Sequence, residues 1–314
     1  MNDDKNAVKN QNHAKKPIIL DGRVLRDQGI SRLKKLMGTN KKTPTLAILQ
    51  VGNLTESSAY IEQKRKFAEK IGAGFIHERF PEDVSETSLV NAIIKFNQNQ
   101  SVHGIIVQLP IPACLNRQRI IDAVIVSKDT DGLTSENKKL FEAGNARAVA
   151  PATARGVLSL LIGYGTVIKG KKATVIGRSA LVGAPIAALL AREGASVTVC
   201  HRQTENIPEK SRQADILIVA IGRPHFITKD YVSSGQTVID VGINSVAPGT
   251  ENPNDIKKLE YEIPRRRLVG DVDFDAVKNI VGAISPVPGG VGPMTVLSLF
   301  ENLVSSCPLQ PDEN

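Results

Sequence analysis

Strand-like apolar runs alternate with helix-like runs along nearly the whole chain. This alternation restricts the chain to an α/β fold built on parallel sheets. Strands are expected at Thr45–Val51, Gly104–Leu109, Ala173–Gly177, Ser196–Cys200, Asp215–Ile221 and Thr237–Val241. Helices are expected at Ser57–Ile71, Leu89–Phe96, Asn116–Val126, Thr153–Tyr164 and Leu181–Glu193. A last helix is expected at Thr295–Ser305, with Val296, Leu299, Phe300 and Leu303 on one stripe. At 314 residues the chain is long enough for two such domains. Boundaries are expected at 17–150 and 151–286, with a ligand cleft between them. The closing segment, 295–306, is expected to return to the first domain. Residues 1–16 read as a disordered tail, and 307–314 as a C-terminal tail.

The densest backbone constraint is Ile284-Ser-Pro-Val-Pro-Gly-Gly-Val-Gly-Pro-Met-Thr295, with three prolines and three glycines in twelve residues. Prolines fix φ and glycines open the rest of backbone space, so the run specifies one rigid loop. Its sparse side chains would let a flat ligand lie against the main chain. Composition alone fits a stiff inter-domain connection as well.

Charge and composition narrow the ligand class. Lys and Arg exceed Asp and Glu by 40 to 32, a net charge of +8, which suits acidic ligands such as phosphates or carboxylates. Nucleic acid would suit the charge equally, but 4% aromatics and no Trp argue against base stacking. Lys15, Lys16 and the Arg265-Arg266-Arg267 run carry part of the excess and read as solvated surface. Cys114, Cys200 and Cys307 are scattered, with no C-x-x-C pair, so neither a disulfide framework nor a metal site is indicated. That usage suits a reducing compartment, and the cytoplasm is expected. No apolar run reaches membrane-span length, and the Asn- and Lys-rich start lacks the apolar core of a secretory signal.

The second domain opens with Ala173-Thr-Val-Ile-Gly-Arg-Ser-Ala-Leu-Val-Gly183. A strand runs into a glycine turn and then a helix, whose free N–H groups and dipole favour a phosphate. The G-x-S-x-x-x-G spacing departs from the usual G-x-G-x-x-G, so a structural βα turn remains open. Ser179 offers a hydroxyl to a phosphate. An NAD site would place an acid at the end of the next strand. Here the strand ends Val199-Cys200-His201-Arg202, and with Arg178 it supplies two guanidiniums suited to the 2′-phosphate of NADP. Glu205 is close enough in sequence to leave NAD open. Gly165-Thr-Val-Ile-Lys-Gly-Lys-Lys172 imitates a phosphate loop, but its last position lacks the hydroxyl that binds Mg²⁺ and the run precedes a strand. Nucleoside triphosphate hydrolysis is rejected on that ground.

The first domain supplies Tyr60 and Lys64, four apart and therefore on one helix face. A lysine walled by a ring and apolar neighbours loses hydration, which lowers its pKa and lets it move protons near neutrality. A lone helix lysine otherwise reads as solvated. Two further groups give Lys64 company. Gln108 ends the Gly104–Pro110 strand, where it can hydrogen-bond an amine. Asp131 precedes a glycine in Lys128-Asp-Thr-Asp-Gly-Leu133, where an acid could bind an amino-pyrimidinone edge or simply make an Asp-Gly turn.

Taken together, Tyr60-x-x-x-Lys64, Val107-Gln-Leu-Pro110, Asp131-Gly132, Gly177-Arg-Ser179 with Val182-Gly-x-Pro185, Asp240-Val-Gly-Ile-Asn244, Gly270-Asp-Val-Asp273 and the Pro288–Thr295 loop closely resemble the bifunctional methylenetetrahydrofolate dehydrogenase/cyclohydrolase family. The resemblance covers about Ile18 to Leu303. It implies an N-terminal α/β catalytic domain, a Rossmann-like dinucleotide-binding domain and a cleft between them. It implies NADP-dependent oxidation of 5,10-methylenetetrahydrofolate to the methenyl compound, then hydrolysis to 10-formyltetrahydrofolate. Lys64 would be the central catalytic group held by Gln108, with Tyr60 stacking on the folate and Asp131 on the pterin edge. The implied substrate set is Tyr60, Ile61, Glu62, Gln63, Lys64, Val107, Gln108, Leu109, Asp131, Pro288, Gly289, Gly290, Val291 and Gly292. The implied cofactor set is Gly177, Arg178, Ser179, Arg202, Ile243 and Thr295. A homodimer through the cofactor domain is also implied.

Three positions depart from the family pattern. Its Pro-Cys-Thr-Pro-x-Gly reads Pro151-Ala-Thr-Ala-Arg-Gly156 here, which removes a helix-start preference and loosens the domain junction. Its Cys-His-Ser-x-Thr reads Cys200-His-Arg-Gln-Thr204, exchanging a small phosphate donor for a cation. Its Ile-Thr-Pro-Val-Pro reads Ile284-Ser-Pro-Val-Pro288, which keeps the hydroxyl. Two other readings stand beside this one: a two-domain dehydrogenase acting on another small acid, such as a shikimate-type oxidoreductase, and a folate- or nucleotide-binding protein without catalysis.

Overall fold

A computed structural model describes residues 16–38, 42–246 and 267–307. Of the expected tails at 1–16 and 307–314, residues 1–15 and 308–314 lie outside the described residues, as do Arg265 and Arg266, while Cys307 is buried at the end of the last helix. In chain order the elements are β1 (Ile18–Ile19), α1 (Gly22–Gly38), β2 (Thr45–Val51), α2 (Thr55–Ile71), β3 (Gly74–Phe80), α3 (Glu86–Gln98), β4 (Gly104–Val107), α4 (Arg117–Asp122), α5 (Ser135–Glu142) and α6 (Ala152–Gly163). They continue with β5 (Lys172–Ile176), α7 (Gly183–Arg192), β6 (Ser196–Cys200), α8 (Ile207–Arg212), β7 (Ile216–Val219), β8 (Thr237–Asp240), β9 (Asn244–Val246), β10 (Arg267–Val269), α9 (Phe274–Val277), β11 (Ala283–Ile284) and α10 (Val291–Ser306).

Two parallel sheets result. The smaller has the order β3-β2-β4, and the larger β1-β11-β8-β7-β5-β6. β4, β7 and most of β2 and β5 are buried residue after residue, as strands covered on both faces must be. Each strand expected from the sequence forms, within two residues at either end. β3 carries a weaker signal because it is an edge strand. Its apolar run is broken by His77, Glu78 and Arg79, which are exposed. β1 crosses to the larger sheet, pairing Ile18 with Ala283 and Ile19 with Ile284. The start of the 17–150 segment therefore adds an edge strand to the neighbouring domain.

α10 begins at Val291, four residues before the expected start. Pro293 sits in its first turn, where the missing N–H has no intrahelical partner to lose. The helix returns to the first domain, with Phe300 fully buried and stacked on Phe67 of α2 at 4.7 Å between ring centroids. It also meets α6 closely: a Cβ on Gly156 would lie 2.9 Å from the carbonyl carbon of Met294.

Buried polar groups on α10 tie the two halves together. Asn302 Nδ2 donates to the carbonyls of Thr130 and Ala150, each at 3.0 Å, while its Oδ1 accepts from Arg155 at 2.7 Å. Glu301 pairs with Arg155 at 3.1 Å and with Arg32. Its burial places these charges where pairing is required. α6 starts at Ala152 without the family's second proline, and Arg155, in the first turn, anchors that junction instead.

Candidate active site

The site lies where the strand ends of both sheets face α2 and the start of α10. Lys64 projects from the middle of α2, and Gln108 follows β4 directly. Lys64 Nζ donates to Gln108 Oε1 at 2.7 Å, and Gln108 Nε2 donates to the Leu109 carbonyl at 2.8 Å. The second bond fixes which end of the amide faces the lysine. Burial lowers the Lys64 pKa, opposed by attraction to Asp131. Burial raises the Asp131 pKa, opposed by Lys64 and reinforced by Asp129. Both partners are thus displaced toward their neutral forms.

Asp129 builds the turn that carries Asp131. Its carboxylate accepts from the amides of Gly132, Leu133 and Thr134 at 2.8, 3.1 and 2.8 Å. The turn is held by Asp129, and Asp131 interacts electrostatically with Lys64.

A cavity of about 350 Å³ opens beside Lys64 and Gln108, with Tyr60 and Gln63 on one wall and Ser179, Ile243 and Thr295 among the opposite groups. A second cavity, about 260 Å³, shares Tyr60, Gln63 and Ile243 and lies over Pro288, Gly289, Gly290, Val291 and Gly292. The Leu109–Pro110 and Val287–Pro288 peptides are cis. Five expected substrate residues, Asp131 among them, do not line these spaces. Ile61 and Val107 are buried in the core, because α2 and β4 turn those positions inward. Glu62 lies on the outer side of α2, paired with Arg65 at 2.8 Å. Leu109 packs against the first domain's core while its carbonyl holds Gln108.

The expected cofactor residues divide likewise. Gly177 turns with φ +117°, and a Cβ there would lie 2.1 Å from the Ala220 carbonyl oxygen. Ser179 Oγ accepts from the amides of Val182 and Gly183 at the start of α7, at 3.2 and 3.4 Å, which leaves its proton for a ligand. Arg178 and Arg202 are exposed and do not line either cavity. They stand two residues beyond the paired strand ends Ile176 and Cys200, so they occupy equivalent places past neighbouring strands. The glycine turn, helix start and paired arginines fit a dinucleotide carrying an extra phosphate.

Sequence reasoning missed the groups that hold the cofactor side together. Asp271 is fully buried and accepts from Ile221 N, Gly222 N, Arg223 N and Asn244 Nδ2 at 2.7, 3.0, 2.8 and 2.9 Å. Asp240 accepts from the amides of Gly242, Asp271 and Val272 at 2.9, 3.0 and 2.8 Å. Burial, helped by the charge of Asp271 and opposed by these amides, pushes Asp240 up to about 7. The glycines of both motifs let the carboxylates in: a Cβ on Gly242 would lie 2.2 Å from Asp271 Cγ, and one on Gly270 would lie 1.8 Å from Asp240 Oδ2. Thr153, Ala220 and Gly222 also line the larger cavity. The Ala-Ile-Gly turn after the apolar β7 run was the available signal for the last two.

The sequence model for the tetrahydrofolate dehydrogenase/cyclohydrolase catalytic domain matches residues 20–131, and that for the NAD(P)-binding domain of the same proteins matches residues 151–310. The "Bifunctional protein FolD" of Methanoculleus marisnigri is 40% identical over 293 residues, covering 93% of this chain and 97% of that protein. The "C-1-tetrahydrofolate synthase, cytoplasmic" of Schizosaccharomyces pombe is 44% identical over 263 residues, and this chain spans only 27% of its length. Among solved structures, the Trypanosoma brucei methylenetetrahydrofolate dehydrogenase-cyclohydrolase, complexed with NADP and an inhibitor, superposes with a TM-score of 0.84 at 32% identity over 93% of this chain and 97% of that one. By both family models and by relatives matched along nearly their full length, the chain belongs to the tetrahydrofolate dehydrogenase/cyclohydrolase family.

Proposed function

We propose that the protein oxidises 5,10-methylenetetrahydrofolate to 5,10-methenyltetrahydrofolate with NADP and then hydrolyses the product to 10-formyltetrahydrofolate in the same cleft. The observation that carries this reading is the Lys64–Gln108 pair, 2.7 Å apart, at the wall of a cavity that also touches Ser179 and Thr295 of the cofactor side. When bound, NADP supplies a hydride acceptor. The chain's own work in that step is orientation: Tyr60 offers a ring face to the substrate, and the Pro288–Gly292 backbone offers a flat floor.

Hydrolysis asks for a proton acceptor beside the one-carbon bridge. Gln108 takes one N–H of Lys64, so a neutral amine keeps its lone pair for the cavity, where it can receive the proton lost by an attacking water. Burial supplies that neutral form, and Asp131 limits how far the pKa falls. Asp131, displaced toward its protonated form, is suited to donate as well as accept at a pterin edge. Roles for Tyr60, Asp131, Arg178, Arg202, Ile243 and the 288–292 loop belong to this proposal, as does action in the cytoplasm. A homodimer through the cofactor domain is supported by the open sheet edge at β6, where Val199 is exposed. Among the described residues no helix is long and apolar enough to cross a membrane.

The test is to mix purified protein with methylenetetrahydrofolate and NADP or NAD and follow reduced nicotinamide absorbance, then formyl product. Growth of both signals with NADP is expected. Saturable binding of folate with no absorbance change would leave only a binding protein.

A further inference from the structure

The hydrogen bond that holds Lys64 has a second chemical consequence. Lys64 is only partly exposed, and the space it lines is the cavity of about 350 Å³. Among the described residues no other lysine lines that cavity or the neighbouring 260 Å³ one. Gln108 Oε1 accepts one N–H of the amine at 2.7 Å, and the bond from Gln108 Nε2 to the Leu109 carbonyl keeps that oxygen in place. Burial also holds Lys64 below the usual lysine range. An ordinary exposed lysine is neutral in only about one copy in a thousand near pH 7.5. A neutral amine fixed beside a ligand space is a nucleophile as well as a base, and carbonyl compounds are what it takes. The bridge carbon of the substrate proposed above stands at the oxidation level of an aldehyde, held between two nitrogens. The matching free carbonyl compound is formaldehyde, small enough to share the cavity with a folate.

We propose that Lys64 takes formaldehyde as a covalent iminium and passes its methylene group to tetrahydrofolate, so that the protein also assembles the substrate it oxidises. The inference rests on the folate reading given above and adds a reaction to it. The Lys64 nitrogen adds to the carbonyl carbon, and one amine proton moves to the oxygen, which gives a carbinolamine. Its C–O bond breaks as Asp131 supplies a proton, and water leaves. The nitrogen keeps a double bond to the carbon and one N–H, and an N–H is what Gln108 already accepts. The carboxylate left on Asp131 balances the new cation, by the same attraction it exerts on protonated Lys64. One tetrahydrofolate nitrogen then adds to the methylene carbon, and its proton passes to the Lys64 nitrogen, which departs as the neutral amine. The second tetrahydrofolate nitrogen closes the ring, and its proton returns to Asp131. The sum is formaldehyde and tetrahydrofolate giving 5,10-methylenetetrahydrofolate and water, with no change of oxidation state.

The experiment has two readouts. In the first, wild type is mixed at neutral pH with isotopically labelled formaldehyde and cyanoborohydride, which reduces an iminium to a stable methylamine, and the label is located by peptide mass spectrometry. Lys64 should be labelled several-fold faster than Lys66 and Lys70, exposed lysines of the same helix. In the second, formaldehyde and tetrahydrofolate are mixed without NADP, and formation of 5,10-methylenetetrahydrofolate is followed against the uncatalysed rate in buffer. Wild type should raise that rate several-fold, and Lys64→Met should leave it at the buffer value. Labelling of Lys64 no faster than of Lys66 and Lys70, or condensation by wild type at the buffer rate, overturns the proposal. Should Lys64→Met fail to fold, the two wild-type comparisons decide the question by themselves. Oxidation of preformed 5,10-methylenetetrahydrofolate without either signal removes the condensation alone. Absence of that oxidation overturns the folate reading itself, and the transfer to tetrahydrofolate with it.

Discussion

Asp271→Asn isolates the buried carboxylate that holds the cofactor side of the cleft. The native carboxylate has two oxygens, each engaged by two donors: Ile221 N and Gly222 N on one, Arg223 N and Asn244 Nδ2 on the other. An asparagine keeps one acceptor. Whichever way the amide turns, two part-buried donors lose their partner and meet an NH₂ group. Orphaning a buried donor costs about 1–3 kcal/mol, so the pair costs roughly 2–6 kcal/mol. Removing a buried charge next to Asp240 returns part of this, and about 3 kcal/mol is a reasonable central value. At roughly 2–4 °C per kcal/mol for a protein of this size, thermal unfolding should fall by about 6–12 °C. The segments released, 220–222 and 241–243, line the larger cavity, so KM for NADP should rise more than KM for the folate. Asp273→Asn is the control. Its carboxylate caps α9 by accepting from Ala276 N at 3.1 Å, a task asparagine performs about as well. Calorimetry and initial rates on both variants are the assay. Equal unfolding temperatures for Asp271→Asn and wild type, or equal damage from both substitutions, would refute the reasoning.

Three other outcomes follow from the same geometry. Hydrolysis of the methenyl compound should rise with pH along a limb below the ordinary lysine value of 10.5, because burial lowers the Lys64 pKa and only the neutral amine accepts a proton. Asp131→Asn removes an attraction that raises that pKa, so the limb should move to lower pH, and an upward move in the pH–rate profile would contradict the assignment. Arg202→Ala and Arg178→Ala should each raise KM for NADP about tenfold with little effect on NAD, as loss of one charge-assisted contact predicts; equal effects on both cofactors would remove the 2′-phosphate role. Phe300→Ala should destabilise the protein by about 3–5 kcal/mol in denaturant titration, since it empties a fully buried position and removes the stack on Phe67.

Legibility followed the length of the pattern. β2, β5 and β7 announce themselves because long apolar runs have few other uses in a protein of this size. Tyr60 and Lys64 were readable because helical spacing fixes a shared face before any tertiary contact forms. Other features depend on contacts remote in sequence. Ile18 and Ile19 become a strand only because Ala283 and Ile284 are there to pair with them. α1 shows a weak stripe, since only Gly22, Gly29 and Leu33 are buried along its length. The Asp240–Asp271 clip could be noticed as two acidic motifs, but its meaning lies in seven hydrogen bonds that join loops distant in sequence. The inward turn of Ile61 and Val107 has the same source: motif position marks neighbours of the site, and packing decides which of them face it.

The most direct measurement is the rate of methenyltetrahydrofolate hydrolysis by Lys64→Met, which keeps the side chain's bulk and removes its nitrogen. The account predicts a fall of at least about a hundredfold, the scale of a lost general base, with folate affinity changed only a few-fold. Hydrolysis at the wild-type rate by a folded Lys64→Met protein would contradict it.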